Sequence, residues 1–270
     1  LVAAPAIDFT TFQRMKPFMP LPPVRVAFWL ALLPVLASLA VPARALVGAS
    51  PDGRFADRVA MVLLRGPGTA GFCSALVLDS RTLLTAAHCV KATRDMAVHY
   101  RDASGAPVVI PVEAALAHPL YRPDAIRARA VSIDVALIRT ARALDPRFAR
   151  ASLASGEGPA VGEPVILSGY GTTRDGDWKS GGELRSVSLT VRAPASTVLI
   201  WAADPDGAIA GACSGDSGAP IWSADGRTAI AIATWAQAPH GRGCGGLTQG
   251  PLLAPLRGWI EETRARLGGE

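Results

Sequence analysis

Beyond residue 45, short apolar stretches alternate with turn-forming residues at close intervals, and this rhythm constrains the fold more than any other feature. Val59–Leu64, Ser74–Leu78, Val108–Val112, Val135–Ile138, Val165–Leu167, Val187–Val191, Val198–Trp201 and Ile230–Thr234 are such stretches. Gly, Pro and Asp punctuate them, as in Pro51-Asp52-Gly53 and Asp225-Gly226. Many short strands at this spacing predict an all-β sandwich or barrel. Only the end reads as a helix, over about 256–267. There Leu256, Trp259, Ile260 and Leu267 share a face, Glu261, Glu262, Arg264 and Arg266 lie largely elsewhere, Pro255 suits the start and Gly268 the end.

Half of the 270 residues are hydrophobic, enough for a large core in one globular unit or two fused small ones, and with 18% charged the chain does not read as disordered. The formal charge is +5, but residues 1–45 hold Arg14, Lys16, Arg25 and Arg44 against Asp8, leaving +2 on residues 46–270. A balance that small points to neither nucleic acid nor a membrane surface as partner.

Residues 26–41 form an apolar run preceded by Lys16 and Arg25 and followed by Ala43-Arg44-Ala45, the pattern of a secretory signal peptide cleaved before Leu46. The run is short for a bilayer span and contains Pro34, which favours a cleaved leader over a retained anchor. Met15 or Met19 is the expected natural start. The product is expected outside the cytoplasm, in a periplasm or secreted, with no stable membrane contact after cleavage. The chain contains no asparagine, which excludes N-linked glycosylation. Four cysteines in an exported chain predict two disulfides, and without a Cys-x-x-Cys pair they do not read as a metal site.

Three segments carry chemistry: Leu84-Thr85-Ala86-Ala87-His88-Cys89, Ser132-Ile133-Asp134-Val135-Ala136-Leu137-Ile138 and Gly211-Ala212-Cys213-Ser214-Gly215-Asp216-Ser217-Gly218-Ala219-Pro220. Alone, His88 could be a core histidine and Ser217 part of a tight turn. Asp134 in an apolar strand needs a partner, because an unpaired buried carboxylate is costly. Together they supply a nucleophile, a base and an orienting carboxylate. A serine hydroxyl is weak at neutral pH until an imidazole takes its proton, and a carboxylate fixes the imidazole tautomer. Glycines beside the serine let backbone N–H groups face a developing oxyanion.

These blocks resemble the three signature blocks of trypsin-like serine proteases, in the family's order of His, Asp and Ser. The resemblance covers about residues 46–265. It implies two six-stranded antiparallel β-barrels, over about 46–150 and 151–253, followed by the helix, with the site in the cleft between them. It implies His88, Asp134 and Ser217 as the catalytic triad and the N–H groups of Gly215 and Ser217 as the oxyanion hole. It pairs Cys73 with Cys89 and Cys213 with Cys244, and no third disulfide is expected. Ser168-Gly169-Tyr170-Gly171 resembles the family's Ser-Gly-Trp-Gly. Thr234-Trp235-Ala236 resembles the segment that pairs with the substrate backbone, and Thr234 could offer its hydroxyl to Asp134. The family's free amino terminus corresponds to Leu46-Val47-Gly48-Ala49, so Leu46 is expected to pair with Asp216, and signal cleavage itself would create that terminus.

By the same resemblance Gly211 sits at the base of the P1 pocket, with Ala212, Ala236 and Gly250 lining the rest. No carboxylate at that base implies uncharged, small to medium P1 residues, unless Asp204 or Asp206 turns inward. No acidic loop follows Cys89, so no calcium, and no other metal or cofactor, is expected. His99, His118 and His240 read as structural or solvated. Protein or peptide substrates, a possible protein inhibitor and a monomeric state complete the reading. Two alternatives share the scaffold: a secreted binding protein, which normally loses a triad residue, and a serine esterase with the same chemistry.

Overall fold

Six strands close on themselves in the first half of the chain. In this computed structural model, which describes residues 46–268 apart from Arg129, His240 and Arg242, a short β1 (Ser50–Pro51) is followed by β2 (Val59–Gly66), β3 (Thr69–Val77), β4 (Thr82–Thr85), β5 (Met96–Arg101), β6 (Pro107–Ala117) and β7 (Ala136–Thr140). The leader expected over residues 1–45, and His240, lie outside the described residues. The order β2-β3-β4-β7-β6-β5 forms a closed barrel, which leaves no strand edge open. Alternation drives it locally: along β5, Met96, Val98 and Tyr100 are buried while Ala97 and His99 are partly exposed. The turn into β4 is fixed by Asp79, whose Oδ1 accepts from the N–H groups of Arg81 and Thr82 at 2.9 and 2.8 Å. A short helix α1 (Ala125–Ala128) lies between β6 and β7.

The second half is built from β8 (Ser152–Leu153), β9 (Pro164–Gly169), β10 (Arg185–Val191), β11 (Leu199–Ala203), β12 (Pro220–Ser223), β13 (Thr228–Ile232), β14 (Trp235–Gln237) and β15 (Leu247–Pro251). The sheet order is β14-β15-β11-β10-β9-β12-β13-β8, with β1 on β10. Six of these strands curl toward a second barrel, but no continuous ladder joins β13 to β15. The reason is local. Over Leu247–Gln249 the β15 edge is taken by β14, so β13 meets the chain only beyond it, through the Ala231↔Leu252 bridge and the Leu253 N–H to Ile230 carbonyl bond of 2.8 Å.

Three buried clusters hold the molecule together. One fills the first barrel around Val62, Leu83, Val98 and Ile138; another fills the second half around Leu167, Leu189, Ile200 and Ile221. The third joins the halves: Leu76, Leu84 and Leu137 from the first pack with Ile166, Trp222 and Leu253 from the second. Trp222 is fully buried and stacks on Phe55 with ring centroids 5.0 Å apart, a contact worth about 0.5–1.5 kcal/mol beyond the area buried. Helix α2 (Arg257–Arg266) follows a turn containing Pro255 and inserts Ile260 into this shared core, with Trp259 and Leu267 packed beside it. No helix among the described residues is long and apolar enough to cross a membrane.

Candidate active site

Strands β4 and β7 are neighbours, with Thr85 opposite Ala136, and both chemistry-bearing residues of the first half lie where that pair ends. His88 follows β4 in the turn Ala87–Cys89; Asp134 immediately precedes Val135 and β7. Asp134 Oδ2 lies 2.6 Å from His88 Nδ1, and Oδ1 accepts the His88 backbone N–H at 2.9 Å. The double contact holds the imidazole in one orientation with Nδ1 toward the carboxylate, leaving Nε2 as the free ring nitrogen. The side chains remain 37% and 20% exposed, so a reactant can reach the pair. Thr234, expected to reach Asp134, does not: among the described residues the carboxylate accepts only from His88, and the Thr234 N–H bonds Gln249.

Ser217 sits in the loop entering β12, partly exposed between buried Asp216 and Gly218. That loop is pinned to the first half. Ser74 of β3 donates its N–H to the Ser217 carbonyl at 2.9 Å and its hydroxyl to the Gly215 carbonyl at 3.0 Å. Gly218 has φ +83°, and a Cβ there would come within 2.3 Å of Thr85 Oγ1 and 2.9 Å of Ala86 N. Glycine is thus what allows the serine loop to lie against the segment that leads into His88. Gly215 has φ +95°, and the Phe72 ring occupies the space a side chain would need. Within the loop the N–H groups of Asp216, Gly218 and Ala219 bond the carbonyls of Cys213, Ala233 and Asp216. Those of Ser214, Gly215 and Ser217 find no acceptor among the described residues. Donors left unused beside a serine are the raw material of an oxyanion site.

Asp216 points the other way, into the second half. It is fully buried, accepting from the N–H groups of Gly171 (2.8 Å) and Cys213 (3.0 Å), and burial pushes its carboxyl up to about 7. Leu46, its expected partner, is also fully buried and packs in the same cluster as Ala212 and Ala219. Val47 bridges Gly211, whose N–H it receives at 3.0 Å. In the uncut chain the Leu46 nitrogen is a peptide nitrogen, so no ion pair with Asp216 can form. Disulfides Cys73–Cys89 and Cys213–Cys244 close on either side of the site. They consume the sulfurs nearest His88 and Asp175, which removes those groupings as thiolate metal ligands.

Two cavities flank Ser217 and His88. One, of about 360 Å³, is lined by Ala212, Ser214, Ser217, Trp235, Ala236 and the Cys213–Cys244 pair. The other, of about 690 Å³, is lined by His88, Asp134, Tyr121, Val198, Thr234 and Trp235. Burial, then the Asp134 charge, raises the Tyr121 hydroxyl above its usual range. Strand β14 runs between them as the last strand of the sheet, paired to β15 on one side only, which leaves an edge on which an extended peptide can be added.

A family model described as Trypsin matches residues 51–250. The chain belongs to the trypsin family. Among curated relatives, Trypsin eta of Drosophila erecta is 28% identical, over 79% of this chain and 90% of that one. Trypsin alpha-4 of Lucilia cuprina is 26% identical, over 77% of this chain and 87% of that one. Among solved structures, mouse neuropsin, a serine protease expressed in the limbic system of the brain, shares the fold with a TM-score of 0.60. It is 23% identical and covers 75% of this chain and 93% of its own.

This trypsin-family chain is a serine endopeptidase whose pocket differs in detail from the sequence reading. Gly211 and Gly250 do not line the cavity beside Ser217; both are buried behind it, Gly211 against Val47 and Gly250 against the Ile232 carbonyl. Asp204 and Asp206 are not in the lining either. The Asp204 carboxylate is used in its own turn, accepting from the N–H groups of Asp206 and Ala208 at 2.9 and 3.1 Å. The lining does contain a carboxylate that sequence reasoning missed. Asp175, exposed in the loop after β9, reaches the cavity beside Gly243. His118 packs edge-on to Trp259 at 4.7 Å, and His99 Nδ1 lies 2.9 Å from the Val108 carbonyl.

Proposed function

We propose that this endopeptidase works through Ser217 as nucleophile, His88 as general base and acid, and Asp134 as the group that holds the imidazole. The observation that carries the reading is the doubly bonded His88–Asp134 pair, against whose entering segment the Ser217 loop is packed through Gly218. In the reaction, Ser217 Oγ attacks the scissile carbonyl carbon and its proton passes to His88 Nε2. Asp134 stabilises the imidazolium, and the Gly215 and Ser217 N–H groups donate to the oxyanion. Collapse expels the amine with the proton from His88, and water then hydrolyses the acyl-enzyme by the same route. The substrate backbone adds to the free edge at Thr234, Trp235 and Ala236.

The cavity walled by Ala212 and Ala236 supports an uncharged, small to medium P1 residue, with the Ala236 methyl shifting selectivity by about 1–3 kcal/mol. Asp175 on the same lining supports a second reading, a cationic P1 side chain. Export followed by cleavage before Leu46 supplies the working enzyme. The new ammonium would give the buried Asp216 a cation and convert a carboxyl pushed up to about 7 into an ionised partner. The enzyme acts as a monomer on proteins or peptides and needs no cofactor. The test is cleavage of a diverse peptide library by protein starting at Leu46, beside Ser217→Ala. Cleavage that disappears in the variant supports the triad, and the cut sites decide between the two P1 readings. A mature terminus well upstream of Leu46 would overturn the activation route.

A further inference from the structure

Near Phe72, which packs on Gly215, lies a larger groove that the catalytic proposal does not use. It encloses about 800 Å³ between the β2–β5 face, at Met61 and His99, and the segment connecting β9 to β10. Phe72 packs between the Ser217 loop and a residue of this lining. Its ring sits against both Gly215 and Gly181, and Gly181 lines the groove. Phe72 therefore connects the Ser217 loop to this groove.

The lining is strongly basic. Arg101, Arg147, Arg174, Lys179 and Arg185 face it against only Asp102 and Glu183. Both carboxylates are already engaged. Asp102 accepts from Ser104 and the Ala106 N–H within its turn, and Glu183 pairs with one nitrogen of Arg185. Of the cations, Arg174 pairs with Asp177, whereas Arg101 and Arg147 donate to the Gly105 and Arg101 carbonyls and have no ion pair among the described residues. Arg185, only 12% exposed, keeps Nε and Nη1 buried without a hydrogen-bond acceptor. Lys179 is exposed at the rim, with no ion pair to its ammonium among the described residues. The buried Arg185 nitrogens are closed to a ligand, but the exposed Arg101, Arg147 and Lys179 along one groove match the carboxylates of an acidic segment.

We infer that this groove receives an acidic segment of the protein substrate, on the leaving-group side of the scissile bond. The inference rests on the proteolytic reading of the site. It makes the enzyme selective for sequences with Glu or Asp beyond the cleaved bond, through attraction that salt weakens.

The test uses the active enzyme and two peptides identical except for a run of Glu or of Gln after the cleaved bond. An ester that ends at that bond serves as the control. At low salt the Glu peptide should show a kcat/KM about tenfold above the Gln peptide, mostly through KM, and the ratio should fall toward one at high salt. Lys179→Glu should lower the ratio at low salt. Equal turnover of the two peptides, with the ester still hydrolysed, would overturn the inference. So would inhibition by a sulfated polysaccharide without any preference for Glu. Failure to hydrolyse ester and peptides alike would overturn the proteolytic reading itself, and this inference with it.

Discussion

The two halves of the molecule each bury an aspartate beside the site, and treat it differently. In the first half Asp134 is 20% exposed, and both oxygens are spent on a single residue, His88. In the second half Asp216 is fully buried, meets two backbone N–H groups and, among the described residues, no cation, and is pushed up to about 7. The first barrel is closed by continuous ladders and delivers a finished pair; the second is closed by one bridge and delivers a loop with unused donors. On the proposed mechanism, the first half stands ready for chemistry, and the second gains its missing charge when the chain is cleaved before Leu46.

The largest expected effect removes the second half's nucleophile and leaves its donors and pocket in place. Ser217→Ala should lower kcat at least about 10⁴-fold, with unchanged circular dichroism, measured on the best library peptide. Asp134→Asn challenges the first half, since it keeps the shape but offers His88 the wrong hydrogen-bond partner. Its kcat should fall by about 10⁴ at neutral pH with KM little changed. A fall of tenfold or less would contradict the idea that the pair is finished.

The third prediction concerns the buried carboxyl. A group with a raised folded pKa stabilises below its unfolded value, and that stability is lost as pH rises through the folded one. For Asp216 the window runs from 3.8 to about 7. The uncut chain should lose stability across that range in denaturant titrations, by an amount on the order of 4 kcal/mol. Asp216→Asn should flatten the trend. Protein beginning at Leu46 should also lack it, and an identical slope in cut and uncut chains would break the comparison. The smallest effect compares the disulfides. Their sequence separations of 16 and 31 give, by loop closure, about 3 and about 4 kcal/mol. Replacing each pair with alanines should therefore destabilise the halves to within roughly 1 kcal/mol of each other.

The candidate site is legible where its residues come in contiguous words. His88, Asp134 and Ser217 lie in blocks whose neighbours, such as Gly218, are dictated by close packing around them. Strands with solidly apolar runs were legible too. β15 was not, because Thr248, Gln249, Gly250 and Pro251 hide it. Gly250 stands there because the Ile232 carbonyl occupies the space of a side chain. β5 was missed although Met96, Val98 and Tyr100 alternate cleanly, a signal that could have found it. The pocket lining was least legible. Asp175 arrives from a loop distant from Ser217 in sequence, closed by the Ser180 hydroxyl oxygen, which accepts from the Thr173 and Arg174 N–H groups at 3.1 and 3.2 Å.

The most direct test of the central claim is covalent labelling with a fluorophosphonate, followed by peptide mapping of the protein that begins at Leu46. A single adduct on Ser217, absent after His88→Ala, is the predicted result. No adduct, or one on another residue, would contradict the assignment of Ser217 as the nucleophile.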